Sequence, residues 1–498
     1  MTHDLTAYPA YSSSSASAPR AYSYHAVAVR FIAAAALSVT ALSGGVIVHA
    51  SGKNQAIGLG ASLPFTNQSQ QVAATPVAAA FHEDGSWAVA GDYNAYVAVD
   101  AQAGRAFAIG QQGSGTTLTV IDARTGVRRG SVPLAGSAIA EIVDQAAHRL
   151  AVLVQFKGLE IFDSRTGAYL RTITAAKLDN GLAVSPGGAR IIAFGGARGG
   201  IPLTLIDAAS GSIVTSPRVG ITPSAIRFDA PNRRTFVLSV NDNLLTEFDT
   251  LTGAVIASQG VAETPESLAV DSVQGRVFVV APNESKIEAY QDPKAYPVDE
   301  QQLVQTPIVS PDALVVDPGA NRMVLANRNG SSTVFSEQPL HVLGSTMAGV
   351  ATTAPAIDRI DGTAIVTIAQ PALSMVIRLR DGTEEAVEQL TGPAKQIATD
   401  PALPRAYIVG DGTSGYTGPN GSPAGSGYIA VTSGATGAQL ALLHVGALPS
   451  IVAISVPLKR VYVDEYLNGY STLATFDLMG QPIARTRLSQ TRYSPGHD

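Results

Sequence analysis

The sequence predicts an all-β chain folded as a single β-propeller of four-stranded antiparallel blades. Eight or nine blades are favoured, and a ring of seven stays open. Three observations carry this prediction. A unit of roughly 42 residues recurs through most of the chain, within the span of one propeller blade. Its apolar runs are five or six residues long, rich in β-branched side chains and bounded by Gly, Pro, Asn and Asp, as in strands separated by turns. Glycine (48) and proline (29) are abundant enough for many turns yet too few for a low-complexity chain. Helical repeats do not fit runs this short, and a parallel β-helix needs a shorter period.

Five segments are expected. Residues 1–30, rich in Ser and Tyr, read as a disordered cytoplasmic region. Within 31–50, the uncharged run FIAAAALSVTALSGGVIV follows Arg20 and Arg30 and precedes Val48-His49-Ala50. That pattern suits a signal peptide cleaved after Ala50 or an uncleaved signal anchor, and either sends the remaining chain out of the cytoplasm. Residues 51–73 read as a linker, 74–490 as the propeller and 491–498 as a tail.

Within the propeller two signatures alternate. One is a strand ending in Asp or Ser, a short turn, then Arg opening a second strand, as in LAVDSVQGRVFVV and LVVDPGANRMVLA. The arginines are Arg105, Arg149, Arg190, Arg234, Arg276, Arg322, Arg405 and Arg460. Successive gaps are 44, 41, 44, 42, 46, 83 and 55 residues, the 83 holding a degraded copy, AIDRIDGTAIVTIA, at 356–369. The second signature is Asp-x-x-Thr/Ser-Gly, at Asp122–Gly126, Asp163–Gly167, Asp207–Gly211 and Asp249–Gly253. Each unit therefore reads as strand a, turn, strand b, variable loop, strand c, Asp turn, strand d. First strands are expected near residues 96, 139, 181, 224, 267, 312, 356, 395 and 451, and VAAAFHEDGSWAVAG (77–91) offers one more hairpin.

The repeated Asp has a structural task, since a carboxylate opening a turn accepts backbone N–H groups two or three residues on. The Gly four residues later supplies the left-handed conformation that closes a tight hairpin. The Arg is expected to reach back to the first-strand Asp or to turn carbonyls, its stem lying against the next blade. Calcium loops concentrate several oxygens in one run, and no such run occurs.

Motifs such as AVDSVQGRVFVVAPNESKIEAYQ and VVDPGANRMVLANRNGSSTVF resemble the YVTN-type (YncE-like) propeller repeat family over about residues 95–490. The resemblance implies an exported or surface propeller used mainly for binding, with seven blades in the family pattern. Two features depart from it: the Tyr-Val-x-Asn core is rarely intact here, and the units exceed seven.

In a four-stranded blade the a–b and c–d turns share one face, and the b–c and d–a loops share the other. Binding is expected on the second, irregular face. Its candidate residues are Asn241, Asp242, Asn243, Asn327, Arg328, Asn329, Asp464, Glu465 and Tyr466, together with the long loop 411–428. The partner would be a protein or a glycan, and the propeller itself is expected to be monomeric. Membrane contact is expected only through residues 31–50, if they stay uncleaved.

Other chemistries lack their residues. A net charge of −6 gives no reason to expect nucleic acid. Without cysteine there are no disulfides, thiolate metal sites or covalent haem. One tryptophan, Trp87, is too few for the docking motif of quinone-cofactor propellers. No two histidines stand at metal-ligand spacing, and His148 reads as a turn residue. FGGARGG (194–200) opens no helix and so makes no phosphate cradle. No cofactor, metal or catalytic residue is expected. The alternatives are a lactonase-like hydrolase with a metal in the central channel, its groups converging from separate blades, and a subunit beside a redox partner.

Overall fold

In the computed structural model the described residues are 80–81, 87–88, 97–112, 115–155, 157–174, 181–194, 203–282, 286–291, 296–297, 311–327, 330–337, 339–346, 350–352, 355–400, 402–411, 427–467 and 470–488. The segments expected at 1–73 and 491–498, and most of loop 411–428, lie outside them. So does most of FGGARGG.

Nine contiguous stretches each form one antiparallel meander. Blade 1 runs from Val97 to Pro133, blade 2 from Ala138 to Ile173 and blade 3 from Gly181 to Thr215. Blades 4, 5 and 6 span 223–260, 267–297 and 311–346, and blades 7, 8 and 9 span 350–389, 394–444 and 447–487. The ring therefore has nine blades, the upper of the two favoured numbers, which rules out seven. In blade 7 the first strand is split into Val350–Thr352 and Ala356–Asp358, both paired with Thr363–Gln370. Ala80–Phe81 and Trp87–Ala88 form a separate two-stranded sheet, so the extra hairpin is no blade.

Burial orders the strands radially. Second strands such as Arg149–Val154 are buried on both faces, whereas fourth strands such as Val255–Gly260 alternate with solvent. First strands contact the first strands of neighbouring blades and so surround the central channel. No blade has a private core, because each apolar cluster draws on adjacent blades. Ile192, Leu205, Val237 and Phe248 join blades 3 and 4, for example. A sheet with two apolar faces can bury both only between neighbours, which is why the unit repeats. The ring closes without strand exchange: Tyr462 and Leu473 of blade 9 pack with Phe107 and Val120 of blade 1.

The Asp turns explain the second signature. Asp122 Oδ1 accepts the N–H groups of Arg124 (3.2 Å) and Thr125 (3.1 Å) and the Thr125 hydroxyl (3.0 Å). Asp163, Asp207 and Asp249 cap their turns in the same way. Gly126, Gly167, Gly211 and Gly253 all take the left-handed conformation, with φ between 66° and 77°.

The arginine that opens the second strand does more than the sequence implied. It bonds carbonyls of its own first turn, as Arg322 does with Asn321 (2.9 Å). Arg105, Arg149 and Arg234 pair with Asp122, Asp163 and Glu247 on the third strand of their own blade, whereas the other five reach the c–d turn of the next blade. Arg190 donates to the Leu251 carbonyl, Arg276 to Glu337, Arg322 to Leu379, Arg405 to Leu478 and Arg460 to Arg124. In blade 7, where Thr363 replaces Arg, its hydroxyl reaches the Gly434 carbonyl of blade 8 (2.8 Å). Tyr407 and Tyr462 reinforce two of these seams through their phenol groups. The first-strand Asp instead caps its own turn, as Asp271 does for Val273 (2.8 Å) and Gln274 (3.0 Å).

Two outcomes follow for stability. Arg460→Ala combined with Tyr462→Phe removes two polar links across the blade 9–1 seam, leaving that of the Thr486 hydroxyl to the Gly126 carbonyl, and lowers the thermal midpoint at a cost of about 1 kcal/mol per lost bond. Gly253→Ala forces a Cβ to 2.3 Å from Thr215 Cγ2, whereas a Cβ on Gly104 meets nothing within 4 Å. Both glycines have positive φ, so Gly104→Ala shows the backbone cost of about 1–2 kcal/mol and Gly253→Ala exceeds it in the same melting experiment.

Candidate functional site

The two faces of the ring are built differently. On the turn face the charges are matched locally. Arg129 holds the Asp122 carboxyl down at about 2, and Arg165 does the same for Asp163. Blade 7 departs from this pattern, because Arg378 stands where the c strands of blades 1 to 4 and 9 end in Asp. Its guanidinium pairs with Glu385, and Asp381 takes over the turn, accepting the Thr383 N–H (3.1 Å) and hydroxyl (2.6 Å). An open cleft of ≈ 430 Å³ lies here between blades 6 and 7, lined by Arg322, Arg378 and Arg380 with Asp361 and Glu385. Arg322 is engaged by the seam and Arg378 by Glu385.

On the loop face the predicted residues hold the chain together. Asn241 donates to the Thr222 hydroxyl (2.8 Å), and Asp242 accepts the Ile221 N–H, both on the crossover from blade 3. Asn243, at φ 50°, accepts the Thr264 N–H (3.1 Å) on the crossover to blade 5. Asn327 is buried and donates to the Ser331 hydroxyl (3.0 Å) within its own b–c turn. Asp464 is buried and accepts from Ser471, while Glu465 accepts the Gly446 N–H (2.7 Å) and pairs with Arg485 (2.8 Å). Tyr466 pairs through its backbone with Ser471. Its side chain, with Arg328 and Asn329, lies outside the described residues. The described candidates are spread over blades 4, 6 and 9.

Two further acids share the role of Glu465 and went unremarked in the sequence. Glu160 accepts the Ala135 N–H (3.1 Å), and Glu288 accepts the Ala262 N–H (2.8 Å). In each case a blade's acid pins the crossover entering that blade, two residues past the preceding fourth strand. The available signal was a glutamate inside an apolar run, GLEIFD and KIEAYQ.

Buried carboxyls also occupy the seams near the turn face. Asp100 accepts His148 Nδ1 (3.0 Å) and the Ser164 hydroxyl from blade 2. His148 has φ 51°, so it is a left-handed turn residue whose ring serves the seam. At the blade 5–6 seam Glu337 takes the place filled by Ser164 in blade 2. Burial, then the neighbouring Asp271 carboxylate, pushes Glu337 up to about 9, with Asp317 adding to the effect and Arg276 opposing it. Among the described residues no group of three or more His, Asp or Glu is placed to hold a metal. None of their helices is long and apolar enough to cross a membrane.

The architecture is that of a nine-bladed β-propeller. Solved structures agree on the fold. The dihydro-haem d1 dehydrogenase NirN, in complex with DHE, matches with a TM-score of 0.51 at 13% identity, over 76% of this chain and 72% of that one. A eukaryotic initiation factor matches with a TM-score of 0.55 at 12% identity, over 78% of this chain and 96% of that one. The chain matches no family model and no curated protein.

Glu337 sets a pH dependence. Its folded pKa lies above the ordinary glutamate value of 4.5, so the native state keeps a proton that the unfolded chain sheds. Its contribution is fully present below about pH 4.5 and is lost as pH rises towards 9, at up to about 1.4 kcal/mol per pH unit. Glu337→Gln, neutral throughout, is expected to flatten the decline in melting temperature between pH 6 and 9. An unchanged pH profile in this variant counts against the assignment.

Proposed function

We propose that this chain is an exported, non-catalytic β-propeller that binds a protein or glycan through the b–c and d–a loop face. The observation carrying this reading is the contrast between the faces. The turn face repeats one self-capped hairpin whose donors and acceptors serve the turn or the next seam. The loop face carries the segments where the repeat breaks down, including the insertion at 411–428. Irregular loops on a rigid scaffold are where recognition residues concentrate. Blade motifs resembling the YVTN type favour the same reading, as does the apolar segment 31–50 behind its arginines.

A glycan array, together with cross-linking against extracytoplasmic proteins, tests this with the full chain. Shortening 413–424 to a Gly-Ser linker, or Asn241→Ala at the exposed rim, is expected to weaken capture. Arg165→Ala and Arg380→Ala on the turn face are expected to leave it unchanged. Binding lost only with the turn-face variants would refute the assignment of the face.

A further inference from the structure

Among the described residues, a cation on the inner wall of the ring, Arg227, has no acid paired with it. Two residues before the end of each first strand, six blades carry alanine: Ala98, Ala183, Ala269, Ala356, Ala398 and Ala453. Blades 2 and 6 carry Ile142 and Val315. Inner strands converge on the axis, so little room remains there between neighbouring faces, and a small side chain fills it. Blade 4 places Arg227 at this position.

Side chains alternate along a strand, so Arg227 shares its face with Ala225 and Asp229. Ala225 packs against Leu268 and Val277 of blade 5, which sets Arg227 at the seam of blades 4 and 5 beside the channel. The equivalent alanines are 4% exposed or less in Ala98, Ala183, Ala269, Ala398 and Ala453, whereas Arg227 is half-buried. Among the described residues its sole hydrogen-bond partner is the Ile226 carbonyl, at 2.8 Å. Asp229, on the same face, is bound instead to the Asn232 amide group (2.7 Å). Burial alone acts on the guanidinium, lowering it to about 10, so it stays charged at neutral pH. Arg276, the other arginine lowered by burial, has Glu337 and Asp271 beside it. A desolvated cation without a counter-charge is costly to the fold, and a guanidinium presents a planar fork matched to oxyanions.

We propose that Arg227 anchors an oxyanion, a carboxylate or sulfate, of a ligand that enters the central channel along blades 4 and 5. The site lies on the channel wall and does not depend on recognition by the loop face. The anion supplies the missing charge. The same chemistry is available from a free ion or from an acidic group on a polymer.

Thermal melting of the full chain at constant ionic strength in sodium chloride tests this, with sodium sulfate and a galacturonate oligomer as probes. Wild type is expected to show a saturable rise in melting temperature with at least one probe. Sulfate alone would identify a free ion, and the oligomer acting at lower concentration would identify a polymer-borne carboxylate. Arg227→Met is expected to lose the response, its apparent affinity falling about tenfold or more, as for loss of a charged hydrogen bond. Without either probe Arg227→Met should melt at or above wild type, since methionine needs no counter-charge. Three results overturn the proposal: no saturable rise in wild type, an equal rise in Arg227→Met, or a lower melting temperature of that variant without probe. Failure of the loop-face variants to alter capture leaves this result untouched, so the two readings are separable.

Discussion

The hydrogen bond from the head of a second strand to the c–d turn of the following blade is the constraint that registers six of the nine seams. Each blade is a meander with two apolar faces and cannot bury both alone. Packing brings neighbouring blades together but is nearly indifferent to small sliding along the seam. The guanidinium fixes the offset, because it must reach one carbonyl while holding its own first turn. Where blade 7 has lost the arginine, Thr363 makes a shorter link to Gly434. The contact thus survives the degradation of the motif. Gly434 also shows the close fit such seams impose, since a Cβ there would meet Asp358 Oδ2 at 1.7 Å.

The loop face has its own fastening, made by acids where the turn face uses a base. Glu160, Glu288 and Glu465 take an N–H from the crossover entering their blade. Asp242 does the same with a shorter reach from the b–c turn. A crossover has no ladder partner, and a buried N–H left unpaired would destabilise it. Polar residues on an irregular face therefore have two possible duties. Asp464, Glu465 and Asn327 are buried and hydrogen-bonded within the chain, while Asn241 stands exposed at the rim.

Charge is handled in opposite ways at different radii. At the outer turns Asp122 and Asp163 sit against arginine and are held low. Their stabilisation is present above about pH 4 and fades as pH falls towards 2. Deeper in the seams burial dominates, and Asp144, Asp358 and Asp400 are pushed upward despite their backbone partners. Glu141, fully enclosed, is pushed well above the usual range by burial, and Glu337 is raised by burial and by the acid beside it. At the inner wall Arg227 has burial acting on it without an acid among the described residues to offset it. That imbalance makes the channel chemically distinct from either face.

Much of the architecture was readable without coordinates. The spacing of the arginines, the Asp-x-x-Thr/Ser-Gly turns and the short β-branched runs determine four-stranded units and where each begins. They do so because turn geometry and strand pairing are local, and glycine at Gly126 or Gly253 advertises a left-handed φ in the sequence itself. Nine closed blades in place of eight or seven required the tertiary structure. Closure depends on whether Tyr462 and Arg460 meet the blade 1 turn, across more than three hundred residues. The seam partners of Arg190, Arg276, Arg322, Arg405 and Arg460 were equally hidden, for they lie one blade away. So was the isolation of Arg227, since a missing counter-charge is a property of the surroundings that no spacing along the chain records.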